Sequence, residues 1–304
     1  MTARRRGLLL AVLPLILLAG CLRAAGQQAG QLPEPPDPRP VGGLASFSPT
    51  ETAALHTSEE AAIRGCMSAR GFGYLPVPGR SVRSAAASPY GLLFARAEVD
   101  GYGMTMAAIE ARKAAGTDPN DKALAGTSSS FRDRWRAALV GTDRHLTRIR
   151  TPDGFDLRYS TDGCVHAARD RVYGTGWDQR YYLVQGLSNL VLTAVQRTPA
   201  YSAAIRTWSD CMRDAGYSYP DLQASRKAVQ DRLTASGPTV EVGTFELGVA
   251  RQDYACQRHA RLHETIERVQ REVEGDILRG HQADIEQLTR QRKDALTRAS
   301  ASHS

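Results

Sequence analysis

The sequence predicts a mainly α-helical, disulfide-stapled bundle of two related units with one small β-hairpin. Three observations carry that expectation. The stretch "CMSARGFGY" at 66–74 returns as "CMRDAGYSY" at 211–219. Long segments repeat apolar residues at the three-four spacing that forms one buried face of a helix. By contrast, "LTRIRTPDGFDLRY" at 146–159 alternates about Pro-Asp-Gly, as two short strands joined by a turn do.

The chain opens with Arg4, Arg5 and Arg6, runs into "GLLLAVLPLILL" and closes that run at Ala19-Gly20-Cys21. A positive start followed by an apolar core too short to span a bilayer comfortably is the order of a secretory signal. A small pair directly before Cys resembles the bacterial lipobox. In that motif the thiol, here of Cys21, is alkylated with diacylglycerol and residues 1–20 are removed. No other run approaches membrane-spanning length, so lipid rather than a helix is the expected anchor. Loss of residues 1–20 lowers the formal charge from +7 to +4. The remaining charge is spread through mixed acid-base helices without a dense Lys/Arg run, which argues against nucleic acid as a partner. Weak attraction to anionic lipid headgroups stays open.

Residues 21–47 are expected to be the lipidated Cys and a flexible tether, because "LRAAGQQAGQLPEPPDPRPVGGLASFS" is rich in Pro, Gly and Gln and has little to bury. The first helical unit is placed at 48–175. Its first helix begins at "SPTE", where Ser48 and Glu51 are N-terminal signals, and stops at Gly71, which suits the left-handed position after a helix end. A loop follows at 76–90, then an Ala-rich helix at 104–115, a polar loop at 116–130 and a helix at 131–140. After the hairpin, a helix capped by Ser160 or Asp162 carries Cys164.

The second unit is placed at 176–300 and is nearly all helical in pattern. Helices are expected at 178–196 and 199–215, divided at Pro199 because proline cannot continue the hydrogen-bond ladder. Tyr201, Ile205, Trp208 and Met212 form one stripe. From 245 to 298, Leu262, Ile266, Val269, Val273, Ile277, Ile285 and Leu288 continue a helical face, with Gly275 and Gly280 as the points where it breaks or bends. Fewer than four clean heptads favour a packed antiparallel hairpin over a free coiled coil.

The two motif copies share an apolar residue three before Cys (Ile63, Trp208), the Cys-Met pair, Gly at plus five, an aromatic at plus six and Tyr at plus eight. Each precedes a second Cys with an Asp just before it: Asp162 and Cys164, then Asp253 and Cys256. Two diverged copies of one unit explain this. In an oxidising compartment the four body cysteines form two disulfides with three connectivities open. Repetition of the unit favours Cys66–Cys164 and Cys211–Cys256, and pairing across the units is the competitor.

The lipobox, "CM…G[FY].Y", "DGC..AAR…YG" at 162–174 and the later Cys-bearing helix together resemble a group of actinobacterial secreted lipoproteins. That resemblance implies the outer face of a cytoplasmic membrane and transfers no activity. Chemical motifs are thin. "CQRHARLH" puts Cys256, His259 and His263 on one helical face, an acceptable zinc set if Cys256 were unpaired. Cys164 and His166 are two apart on a helix and do not face each other as a nucleophilic pair would. "GLSNL" at 186–190 lacks the last glycine of a nucleophile elbow. Phe72, Tyr74, Trp208, Tyr217 and Tyr219 either cover the disulfides or line a groove for glycan or peptide, and core is the favoured reading. No catalytic residue and no cofactor is expected. The function so indicated is a non-catalytic binding module for an envelope protein, peptide or wall component, held to the membrane through Cys21. The alternative is an extracytoplasmic hydrolase or wall-modifying enzyme.

Overall fold

A computed structural model describes residues 34–79, 88–114 and 118–301. Residues 1–20, Cys21, the first part of the expected tether and part of the 76–90 loop lie outside the described residues. The helices are α1 (Pro49–Ala69), α2 (Ala97–Asp100), α3 (Met104–Ala114), α4 (Pro119–Leu124), α5 (Ser129–Val140), α6 (Cys164–Tyr173), α7 (Trp177–Gln196), α8 (Pro199–Asp214), α9 (Leu222–Ser236), α10 (Val240–His259), α11 (Leu262–Ile277) and α12 (Gln282–Ala301). Strands β1 (Leu146–Arg150) and β2 (Asp156–Ser160) make one antiparallel hairpin. Among the described residues no helix is long and apolar enough to cross a membrane.

Local chemistry sets the helix ends. At α1 the Glu51 N–H donates to Ser48 Oγ (3.2 Å) while Ser48 N–H donates to Glu51 Oε2 (2.7 Å), a reciprocal cap with Pro49 in the first turn. The two motif copies end their helices identically. Phe72 N–H donates to Met67 O and Tyr217 N–H to Met212 O, both at 2.9 Å, with Gly71 and Gly216 at φ 80° and 88°. Glycine takes that left-handed position without the backbone strain that a side chain brings to it, so the repeat encodes one helix-stop geometry twice.

Both disulfides take the pairing that the repeat favours, Cys66–Cys164 between α1 and α6 and Cys211–Cys256 between α8 and α10. Each leaves the motif helix one turn before its stop. Met67 and Met212 are fully buried beside them, in separate apolar clusters. The first cluster joins α1, α5 and α6 through Ile63, Met67, Trp135 and Ala168. The second joins α8 to α11 with the 90–102 segment through Trp208, Val229, Val249 and Ile266. A third, around Trp177, Val184 and Leu288, brings α7 and α12 against α1.

The structure departs from the sequence-based expectations at four places. Helix α4 interrupts the polar loop expected at 116–130, because Asp118 accepts the Asn120 N–H and Pro119 occupies the first helical position. Neither Ser160 nor Asp162 caps α6; Gly163 is its cap residue, and Asp162 is turned back to accept the Thr142 N–H (2.8 Å) and hydroxyl (2.7 Å). Those bonds, led by the one from Ser160, hold the Asp162 carboxyl well below the usual carboxylate range. The segment expected at 245–298 as one broken stretch is three helices. It divides at Arg261, which takes φ 51°, and at Gly280, while Gly275 lies uninterrupted inside α11. The Arg261 break rotates Leu262 and His263 into full burial.

The fourth departure concerns the tether, which composition extends to residue 47. The chain is packed on the body from Glu34, with Pro35, Pro38, Pro40, Val41 and Leu44 buried. Its carbonyls are held by side chains of α11 and α12. Pro36 O meets His263 Nδ1 (2.9 Å), Arg39 O accepts from Gln270 (3.1 Å) and Leu44 O from Arg292 (3.0 Å). Proline leaves these carbonyls free of regular structure, so long-range donors can capture them.

Two predictions follow from this packing. Cys211→Ala/Cys256→Ala opens a closed loop spanning 45 residues and should lower unfolding free energy by about 2–5 kcal/mol in a urea titration; no change in midpoint would show the staple to be idle. His263 is pushed below its ordinary 6.5 by burial, against the raising effects of Pro36 O, Glu264 and Asp37. The unfolded chain therefore binds the proton more readily, so this stability is present above pH 6.5 and is lost as pH falls below it. Thermal melts should show that acid-side loss in the wild type and less of it in His263→Gln; parallel pH profiles would contradict the assignment.

Candidate functional site

The most concentrated polar site in the structure is closed to solvent. Asp253, fully buried on α10, accepts from the Trp208 indole N–H (2.8 Å) and Gln257 amide (2.8 Å) at Oδ1. Its Oδ2 accepts from the Tyr102 hydroxyl (2.7 Å) and lies 3.2 Å from Ser225 Oγ. One carboxylate thereby joins α8, α9, α10 and the turn after α2. Burial pushes this carboxyl above its ordinary value, opposed by the charge of Arg226 and by the bonds from Tyr102, Gln257 and Trp208. Arg226 lies over the Tyr102 ring at 4.9 Å from its centre. Tyr102, Trp208, Ser225 and Gln257 are themselves buried, so this carboxylate organises the core and has no face for a substrate. Glu246 does a related job about two turns earlier on α10, accepting the Met104 and Thr105 N–H groups (2.7 and 2.8 Å) at the start of α3.

The accessible site lies on the outer side of the second motif copy. Tyr217 and Tyr219 stack with ring centres 6.2 Å apart and planes 18° apart. With Phe245, Arg232 and Ala228 they line an open groove of about 610 Å³. The Arg232 guanidinium lies 3.8 Å over the Phe245 ring, and the neighbouring Asp231 pairs with Lys227 at 2.7 Å. The Tyr219 carbonyl is fixed by Ser209 Oγ (2.7 Å), which holds the strip after Gly216 against α8.

The first copy shows why this groove is a property of the second alone. There Phe72 meets Phe131 edge-on at 5.7 Å, Tyr74 stacks on Trp135 at 6.1 Å, and the Trp135 N–H donates to Gly73 O (2.8 Å). Helix α5 thus covers the first pair of aromatics. The favoured core reading holds in full for Trp208; Phe72, Tyr74, Tyr217 and Tyr219 are all half-buried, the first two packed against α5 and the last two bordering open space.

The remaining sequence candidates resolve individually. Cys21 lies outside the described residues. The Cys256 sulfur is bonded to Cys211, His263 is buried against Pro36 and Phe94, and His259 is exposed, so the three do not converge as ligands. Cys164 is bonded to Cys66, and His166 points instead between Asp170 (3.6 Å) and Asp178 (3.7 Å). Ser188 of "GLSNL" donates to Val184 O inside α7 (2.9 Å). Gly186 beside it is required for packing: a Cβ there would sit 2.6 Å from Pro152 Cδ in the hairpin turn. No family model, curated protein or solved structure matches the chain.

Asp253→Leu replaces the acceptor with an apolar group of similar size and leaves the buried Trp208 and Gln257 N–H groups unpaired. It should cost about 2–4 kcal/mol in urea unfolding, while an exposed carboxylate change such as Asp231→Asn should move the midpoint little; equal small effects would show the network to be slack.

Proposed function

We propose that this chain is a lipid-anchored protein of the outer face of a cytoplasmic membrane and acts as a non-catalytic binding module. It would hold an envelope protein, peptide or wall component in the groove of Tyr217, Tyr219, Phe245 and Arg232. One observation carries the reading: two copies of the same aromatic strip exist, one packed against the rings of α5 and the other bordering an open concavity. Stacked tyrosines offer flat apolar faces with polar hydroxyl edges, which suit a sugar ring or an extended peptide. Arg232, already spread over Phe245, adds a cationic edge for an acidic group of such a ligand.

Anchoring rests on Ala19-Gly20-Cys21 at the end of the apolar signal. Support for a non-catalytic role comes from the fates of the reactive side chains. The body thiols are spent in disulfides, and the buried Asp253 carboxylate is enclosed by its donors.

The test has two arms. Cys21→Ser should abolish diacylglycerol labelling of the protein and let a high-salt wash release it from the membrane fraction, and unchanged labelling or salt-resistant retention would contradict the anchor. Envelope extract passed over the wild-type protein should yield a reproducible ligand whose capture falls at least about tenfold with Tyr219→Ala or Phe245→Ala. Capture unaffected by both would remove the groove from the account.

A further inference from the structure

The β-hairpin carries a feature that neither the disulfides nor the groove explains. Its register pairs Leu146 with Ser160, Arg148 with Arg158 and Arg150 with Asp156, so these residues share one face. The opposite face holds buried Ile149 and half-buried Leu157 and Tyr159, and packs inward. The turn is locked to α7 by the Asn189 amide donating to Asp153 (2.7 Å) and by the close approach at Gly186. The outward face is therefore presented rigidly.

That face is built against its own stability. Arg148 and Arg158 stand directly opposite each other, and like charges so placed destabilise a strand pair. Asp156 is the single carboxylate among the paired residues, and it is taken by Arg148, whose Nε lies 2.7 Å from Oδ1. Arg150 and Arg158 make no ion pair among the described residues. Alongside them Leu146 is 47% exposed and Phe155, at the hairpin tip, 60% exposed. Three guanidiniums with an uncovered aromatic at the end of a fixed hairpin match a surface that is both anionic and apolar a few ångströms down.

We infer that the outward face of the hairpin, Arg148, Arg150 and Arg158 with Phe155 at its tip, docks on an anionic phospholipid bilayer. The arginines would meet headgroup phosphates and Phe155 would enter the interfacial region. A soluble polyanion satisfies the arginines and leaves Phe155 and Leu146 in water, which is why the bilayer is the better match. Docking in place on the anchoring membrane rests on the anchor proposed above. The surface itself is measured without it.

The experiment uses the full chain carrying Cys21→Ser, so that no acyl group contributes, and co-sedimentation with vesicles of phosphatidylcholine alone or mixed with phosphatidylglycerol. The protein should partition onto the mixed vesicles and not the neutral ones, and rising salt should release it. Arg150→Gln/Arg158→Gln, which leaves the Arg148–Asp156 pair intact, should weaken partitioning about thirtyfold. Phe155→Ser should weaken it about tenfold. Arg64→Gln/Arg206→Gln, an equal charge loss at exposed positions on α1 and α8, should weaken it much less. All variants change exposed side chains, and unchanged thermal melts establish that they fold. Equal binding to both vesicle types, no binding to either, or equal losses from the two arginine pairs would overturn the inference. So would binding to inorganic polyphosphate that is indifferent to Phe155→Ser and is not accompanied by vesicle binding. Vesicle binding by the Cys21→Ser chain together with absence of diacylglycerol labelling on the unaltered chain would separate a sound docking face from a failed anchor.

Discussion

A disulfide placed one turn before a glycine-stopped helix end is the constraint on which the two units depend. In each motif copy the cysteine fixes the last turn of a helix to a second helix distant in sequence, and the glycine five residues on reverses the chain immediately afterwards. The methionine between them is thereby driven fully into the core, and the aromatic at plus six donates its N–H back to that methionine's carbonyl. Covalent bond, helix stop and core residue are thus set by nine consecutive residues. The bridges close long loops, spanning 98 and 45 residues, and chain-entropy reasoning assigns each roughly 4–5 kcal/mol.

Around that shared device the two copies diverged in what covers them. The first packs against α5, whose Phe131 and Trp135 meet Phe72 and Tyr74. The second is organised from below by Asp253, which gathers Tyr102, Trp208, Ser225 and Gln257 around one carboxylate. Buried polar networks of this kind fix a unique arrangement when every member is satisfied. With its core specified from beneath, the second copy holds Tyr217 and Tyr219 in place without an aromatic lid. The open groove is the consequence, and it is what makes a binding role the best reading of the molecule.

Much of this fold is legible in the sequence because it is written in local signals. Ser48 and Glu51 start α1, Gly71 and Gly216 stop their helices, Pro-Asp-Gly turns the hairpin, and repetition of the motif selects the intra-unit disulfides from three pairings. What escaped depends on partners far along the chain. The burial of Pro35 to Leu44 requires His263, Gln270 and Arg292, more than 200 residues away, and composition alone reads that stretch as tether. The break at Arg261 lacks a glycine or proline, and arises where the interior takes in Leu262 and His263. For the site, both tyrosines were visible as part of the repeat. Their exposure was not, since it turns on α5 covering one copy and on what α9 and α10 leave open beside the other. Asp253 was visible only as the residue three before Cys256; its hub role needs Tyr102, 151 residues upstream.

The measurement that bears most directly on this architecture is a peptide map of the unreduced protein. Two stapled units predict linked peptides joining Cys66 to Cys164 and Cys211 to Cys256, each released by reduction. A peptide joining Cys66 to Cys211, or Cys164 to Cys256, would contradict the duplication of one internally bridged unit and with it the origin assigned to the groove.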